Sequence, residues 1–259
     1  MSSRRGVERP WLGTLAAAIL LALVLFAGWT SADLLTQAEP ISKAAITVAK
    51  PVIETPTPTP VESYEVANLS GSVDKYDEPG GKVIGTVDGT WYGYPSKLPV
   101  YEKQDGYLLV GVQIRPNESK AWIKEDAVKL TKTSWRVKVD LSERRVYVYK
   151  KGEEQWSAPV GIGKKSTPTP TGSFFMAMKA ASPSAGYGPF VMAISAHSVA
   201  IQSWQGSGDA IIAFHGPVGS DAQIGTKGAA ISNGCLRMHV EDLEKLGKVL
   251  PGSPVDIVK

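Results

Sequence analysis

One cysteine and three histidines are all the thiol and imidazole this 259-residue chain carries. A single cysteine excludes an intramolecular disulfide, and no C-x-x-C or H-x-x-x-H spacing supports a zinc site. We therefore expect no metal and no cofactor. Charge is nearly balanced, with 28 Lys and Arg against 25 Asp and Glu. A net charge of +3 speaks against a nucleic-acid partner. Sustained helical periods are scarce, while 26 Gly and 18 Pro interrupt the chain. That balance points to strands and loops rather than helices.

Long apolar runs are also rare, and the exception is at the start. Residues 11–29, WLGTLAAAILLALVLFAGW, contain no charge. About 20 apolar residues span a bilayer as a helix. Arg4, Arg5 and Arg9 precede the run and keep that end in the cytoplasm. Two readings stand: a retained transmembrane anchor, or a signal peptide cleaved near Thr30-Ser31-Ala32. Both export the remainder. The anchor reading gives a cytoplasmic tail (1–10), a transmembrane anchor (11–29) and a Pro/Thr-rich linker (30–63). The linker contains Thr55-Pro56-Thr57-Pro58-Thr59-Pro60, a repeat that favours polyproline II.

Residues 64–131 read as a compact β domain. Short apolar runs (Val83-Ile84, Tyr107 to Val110, Trp122-Ile123) alternate with turn residues (Glu78-Pro79-Gly80-Gly81, Asp88-Gly89, Asp105-Gly106). The succession Leu98 to Glu102, Asp105 to Val110, Ala121 to Ile123 resembles bacterial SH3-like wall-associated domains, which implies a small β-barrel. Trp91, Tyr92, Tyr94 and Tyr101 have two readings: an aromatic glycan- or peptide-binding face, or packing in the barrel core and against the next domain.

Residues 134–259 begin with alternation: Val137, Val139 and Leu141, a Ser142-Glu143-Arg144 turn, then Val146 and Val148. This pattern predicts a β-hairpin. A strand over Ser157 to Val160 follows, then Thr167-Pro168-Thr169-Pro170-Thr171-Gly172 leads into Phe174 to Met176. Val240, Leu243, Leu246 and Leu250 are spaced for one buried helix face, with His239 at the helix end. Val255 to Val258 is expected as a closing strand. His197 is expected to be a hydrogen-bonded or exposed loop histidine.

The chemistry concentrates in residues 211–238, IIAFHGPVGSDAQIGTKGAAISNGCLRM. Ile211 to Phe214 reads as a buried strand that ends on His215. Ser232-Asn233-Gly234 stands directly before Cys235. A lone Cys is most often a small buried hydrophobe. A lone Cys with a His elsewhere in an exported chain is instead a candidate nucleophile and base. Gly234 permits a tight turn that would aim the N–H groups of Gly234 and Cys235 at a developing oxyanion.

His215-Gly216 followed by Ser232-Asn233-Gly234-Cys235-Leu236-Arg237 resembles the motif of the L,D-transpeptidase (YkuD-like) family. The opening hairpin, Gly161 and Gly163, and the Thr-Pro-x-Pro-Thr-Gly run form a second block of similarity. Many members carry Ser-His-Gly-Cys, and Asn233 stands here in place of that histidine. The resemblance implies a mainly β fold: an SH3-like barrel followed by a β-rich catalytic domain with one short helix. It implies a peptidoglycan L,D-transpeptidase forming 3→3 cross-links through a cysteine acyl-enzyme, with stem peptides as partners. Cys235 and His215 would be catalytic, with the Gly216 backbone carbonyl orienting His215. Ser232, Asn233 and Gly234 would shape the loop. Tyr187 and Phe190 would face substrate; Arg237 would meet a carboxylate or carbonyl there, or else brace the loop. Capture of the acyl-enzyme by water would make an L,D-carboxypeptidase, and capture by a protein amine would attach that protein to the wall. A non-catalytic wall-binding protein and an unrelated cysteine peptidase are the other classes. The expected place is a single-pass membrane protein with its catalytic domain outside the cytoplasm at the cell wall.

Overall fold

A computed structural model describes residues 62–259 except 205, 207 and 227. The expected anchor (11–29) and nearly all of the linker lie outside the described residues. Among the described residues no helix is long and apolar enough to cross a membrane.

The first half is built from β1 (Tyr64–Asn68), β2 (Val73–Tyr76), β3 (Val83–Val87), β4 (Thr90–Trp91), β5 (Tyr94–Pro95), β6 (Lys97–Gln104), β7 (Tyr107–Gly111), β8 (Lys120–Lys124) and β9 (Lys129–Thr133). Seven of these form one sheet in the order β3-β2-β8-β7-β6-β1-β9, and β4 pairs with β5 as a small hairpin. Local chemistry explains the turns. Asp105 and Gly106, the two residues between β6 and β7, both have positive φ, the geometry of a two-residue hairpin turn. Along β7, Leu108 and Val110 are fully buried while Tyr107 and Leu109 are partly exposed, the alternation of a strand with one face on a core. β9 runs to Thr133, past the expected boundary at 131, and only Ser134 separates it from the next strand.

The second half contains β10 (Trp135–Asp140), β11 (Arg145–Lys150), β12 (Glu153–Pro159), β13 (Ile162–Gly163), β14 (Gly172–Ala181), β15 (Phe190–His197), β16 (Ile211–His215), β17 (Ala230–Ser232), β18 (Leu236–Arg237), α1 (Val240–Leu246) and β19 (Pro254–Val258). Eight strands form a sheet in the order β12-β11-β10-β19-β14-β15-β16-β18, and β13 pairs with β17. The expected β10–β11 hairpin forms, with Val137 opposite Val148 and Val139 opposite Val146. The last strand is not at an edge: β19 lies between β10, parallel to it, and β14, antiparallel. The chain end therefore closes the sheet through its middle.

The helix is shorter than its apolar spacing suggested. Leu243 and Leu246 are fully buried, but Val240 and Leu250 are exposed. The helix stops before Gly247, so Leu250 never reaches the same face. Glu241 and Asp242 occupy its first turn, where carboxylates complement the helix dipole.

β14 is buried on both faces and joins the halves. Phe174 and Met176 enter the core of the second sheet. Phe175 and Ala177 enter the core of the first, beside Leu98, Leu108 and Val110. A buried hydrogen bond between Thr133 Oγ1 and Ser253 Oγ (2.8 Å) adds a polar tie.

Candidate active site

Two strands bring the candidate thiol and imidazole together. β16 and β18 run parallel, with Phe214 opposite Leu236 and His215 opposite Arg237. Cys235, one residue before Leu236, is therefore level with Ala213. His215 lies two residues further along the neighbouring strand, on the same face as Ala213. The buried side chains that fix this pairing are Ile212, Phe214 and Leu236, each 1% exposed or less.

His215 is itself buried, at 4% exposure. Its Nδ1 is 2.7 Å from the carbonyl oxygen of Gly216. A carbonyl only accepts, so Nδ1 carries the proton and Nε2 is left as the basic nitrogen. The ring of Tyr187 packs on it, centroids 4.6 Å apart. The Tyr187 carbonyl in turn accepts from the Gly216 N–H at 2.7 Å. Gly216 has no room for a side chain: a Cβ there would stand 2.8 Å from Tyr187 C and Gly188 N. Burial lowers the His215 pKa to about 4, and Arg237 adds to the depression against the opposing effect of Gly216.

Cys235 is half-buried. Its thiol points at the backbone of the facing strand, with Sγ 3.8 Å from Ile211 O. Burial raises the thiol pKa, opposed by the Ala213 backbone and Arg237. Both shifts favour the neutral forms, imidazole and thiol.

The loop before the thiol is pinned by side-chain hydroxyls. Ser232 Oγ accepts from the Gly234 N–H (3.1 Å) and donates to Cys235 O (2.5 Å). Thr169 Oγ1 donates to Gly234 O (2.8 Å) and accepts from Gly163 N–H (2.9 Å). The Gly234 N–H is thus already used, which corrects its expected place in an oxyanion hole. Gly234 has φ +122°, a conformation that side-chain-bearing residues rarely adopt.

A cavity of about 370 Å³ opens over Cys235. Asn233, Cys235, Arg237, Ile211 and Ile212 line it, together with Ile201, Trp204 and Asp209. Its lining includes Tyr92, from the first half of the chain. Arg237 donates to Ser220 Oγ at 2.6 Å, while its Nε is buried with no hydrogen-bond partner. One end of the guanidinium braces the loop, and the other is an unused donor.

Other expected residues lie elsewhere. Phe190 packs under the Lys179 ammonium (3.8 Å) and against Gly247, not in this cavity. His197 is neither exposed nor in a loop: it ends β15 at 1% exposure. Its Nδ1 is 2.7 Å from Asp209 Oδ2, a carboxylate contact that opposes the lowering of its pKa by burial. His239 caps the start of α1, with Nδ1 2.8 Å from Asp221 Oδ1. Trp91 lies edge-on to His197, and Tyr94 Oη accepts from Ala181 N–H, so both pack against the second half. Ser220 and Asp209 gave no signal in the sequence, and Thr169 showed only as part of the Thr-Pro-x-Pro-Thr-Gly run. Hydrogen bonds join Ser220 to Arg237, Thr169 to Gly234 and Asp209 to Arg115 across 17, 65 and 94 residues along the chain.

Residues 134–257 match the L,D-transpeptidase catalytic domain model named YkuD. This supports a YkuD-like L,D-transpeptidase catalytic domain over those residues. A protein of Bacillus licheniformis that carries the name L,D-transpeptidase YkuD is 27% identical over 124 residues, 48% of this chain and 65% of that protein. Its Bacillus subtilis namesake is 30% identical over 93 residues, 36% of this chain and 46% of that protein. The chain thus spans less than two thirds of either relative. Among solved structures, an L,D-transpeptidase catalytic domain from E. faecium is 23% identical, covering 48% of this chain and 96% of its own, with a TM-score of 0.35. An L,D-transpeptidase from Mycobacterium tuberculosis is 18% identical, covering 66% and 75%, with a TM-score of 0.40.

Proposed function

We propose that this chain is a peptidoglycan L,D-transpeptidase working through a Cys235 acyl-enzyme and forming 3→3 cross-links. The observation that carries this is the placement of Cys235 under an open cavity, directly before a strand paired with the one that ends in a buried His215 of defined tautomer. Cys235 is the nucleophile and His215 Nε2 the base, with the Gly216 carbonyl holding the ring.

Nε2 takes the thiol proton as Sγ bonds to the carbonyl carbon of the third stem residue. The bond from that carbon to the terminal D-alanine nitrogen then breaks, and the imidazolium returns its proton to the departing amine. The side-chain amine of a neighbouring stem attacks the thioester, and sulfur leaves as thiol. The Cys235 N–H, which the loop bonds above do not use, is the nearest backbone donor for the oxyanion. Arg237, which lines the cavity, would meet a substrate carbonyl or carboxylate. Ser232 and Asn233 shape the loop, and Tyr187 shields the imidazole. Residues 64–131 serve as an SH3-like wall-associated module, and 11–29 as a membrane anchor that leaves the enzyme outside the cytoplasm.

Incubating the full chain in mild detergent with a tetrapeptide stem, and separately with a carbapenem, tests the reading. Intact mass should show one covalent adduct, and D-alanine should be released from the stem; Cys235→Ala should lose both. Products resolved with and without an acceptor stem distinguish cross-linking from hydrolysis. A folded wild-type chain that gains no mass and releases no D-alanine sinks the proposal.

A further inference from the structure

Tyr92 belongs to a different sheet region from Cys235, yet its ring lines the cavity over the thiol. It sits at the tip of the β4–β5 hairpin with Gly93, and both have positive φ (50° and 80°). That is a type I′ turn, whose first central position suits Asn, Asp or Gly. A tyrosine there is strained, and the ring is 51% exposed, so burial does not explain its presence. Backbone strain of this kind concentrates at functional sites.

The flanks of the hairpin explain how the tip is aimed. Trp91 packs edge-on against His197 of β15, and Tyr94 Oη accepts from the Ala181 N–H of β14 at 3.2 Å. Tyr92 alone is left to project over the cavity. The segment carrying Ile201 and Trp204, which also line the cavity, is likewise held from the first half of the chain. Arg115 donates to Asp209 Oδ1 (3.1 Å), Ser198 O (3.0 Å) and Ile201 O (3.1 Å). Asn117 donates to His197 O (2.9 Å) and accepts from His197 N–H (2.8 Å). Residues 64–133 therefore supply one part of the lining and fasten another.

We propose that the N-terminal sheet completes the substrate site, and that Tyr92 is a specificity-determining residue that stacks on the peptide presenting its carbonyl to Cys235. This rests on the acyl-transfer reading above and adds the identity of the group that recognises the donor. A peptide ending in D-alanine offers flat amide faces and a methyl group, which suit an aromatic wall. A small electrophile needs no such wall to reach the sulfur.

The test compares the full wild-type chain with Tyr92→Asn, which suits the turn, and Tyr92→Phe, which keeps the ring. Two rates are read: acylation by the tetrapeptide stem, followed by D-alanine release, and alkylation of Cys235 by iodoacetamide. We expect Tyr92→Asn to slow acylation by about tenfold, the scale of one aromatic contact. Its alkylation rate should stay within about twofold of wild type, its thermal midpoint should not fall, and Tyr92→Phe should acylate as wild type does. An active wild type with Tyr92→Asn acylating equally fast overturns this inference alone. Equal slowing of acylation and alkylation also overturns it, since that marks a general loss of site structure. A wild type inert to the stem overturns the acyl-transfer reading and this inference with it.

Discussion

His215 and Cys235 are both held in their neutral forms by burial. That sets the pH behaviour of the site. Unfolded, the imidazole titrates near 6.5; folded, it titrates at about 4. As the proposed base, His215 stays competent down to that lower value. The acid limb of kcat/KM should therefore have its midpoint near 4 rather than near 6.5, measurable as D-alanine release against pH. The same shift governs stability. Between 6.5 and 4 the unfolded chain binds a proton that the folded chain refuses, so stability is intact above 6.5 and falls as pH drops through that window. The loss from this one group is about 3 kcal/mol, and His197, also depressed by burial, adds to it. Urea titrations across this range should show the slope, and His215→Gln should remove part of it. The thiol gives the opposite limb: burial lifts its pKa above the ordinary 9.0, so iodoacetamide alkylation should still be rising with pH at 9. A plateau reached below pH 8 would mean a thiolate–imidazolium pair. The types of these two residues were legible in the sequence because each is scarce. Their protonation states were not, since they depend on what surrounds them.

The Cys-bearing loop holds its shape through one buried threonine. Thr169 Oγ1 bridges Gly163 N–H and Gly234 O, two points that the chain separates widely. Thr169→Ala would strand a donor and an acceptor in a buried place, at a cost of about 1–3 kcal/mol, while Thr169→Ser should retain the bridge. Urea unfolding of the two variants distinguishes them, and Thr169→Ala should also slow acylation of Cys235 by stem. The Thr-Pro-Thr-Pro-Thr-Gly run was visible in the sequence as a motif, but its partner was not. Periodicity likewise found the strand ending at His215 and the opening hairpin. It overextended the helix, because apolar spacing does not register where Gly247 ends the turn. It misjudged His197, whose polar type suggested a loop while Trp91 and β15 bury it.

At the scale of the molecule, β14 makes the two β regions one structure over the described residues. Phe175 leaves the second sheet and enters the core of the first. Its truncation removes contacts that only exist when both halves are folded. Phe175→Ala should cost about 3–5 kcal/mol and lower the denaturation midpoint of tryptophans on both sides together. Separate transitions in the wild type, one for each half, would contradict a shared core.

Composition, scarce side chains and short-range alternation determined a great deal without coordinates: β structure, a turn-rich chain, and a cysteine and histidine set apart from the rest. These are local properties, written in neighbouring residues. The tertiary structure alone decided that β19 closes the sheet through its middle, that Thr169 holds the Gly234 carbonyl, and that Tyr92 reaches the thiol cavity. Each of those depends on segments far apart in the chain meeting at a buried surface, and no local pattern encodes which distant residue will arrive there.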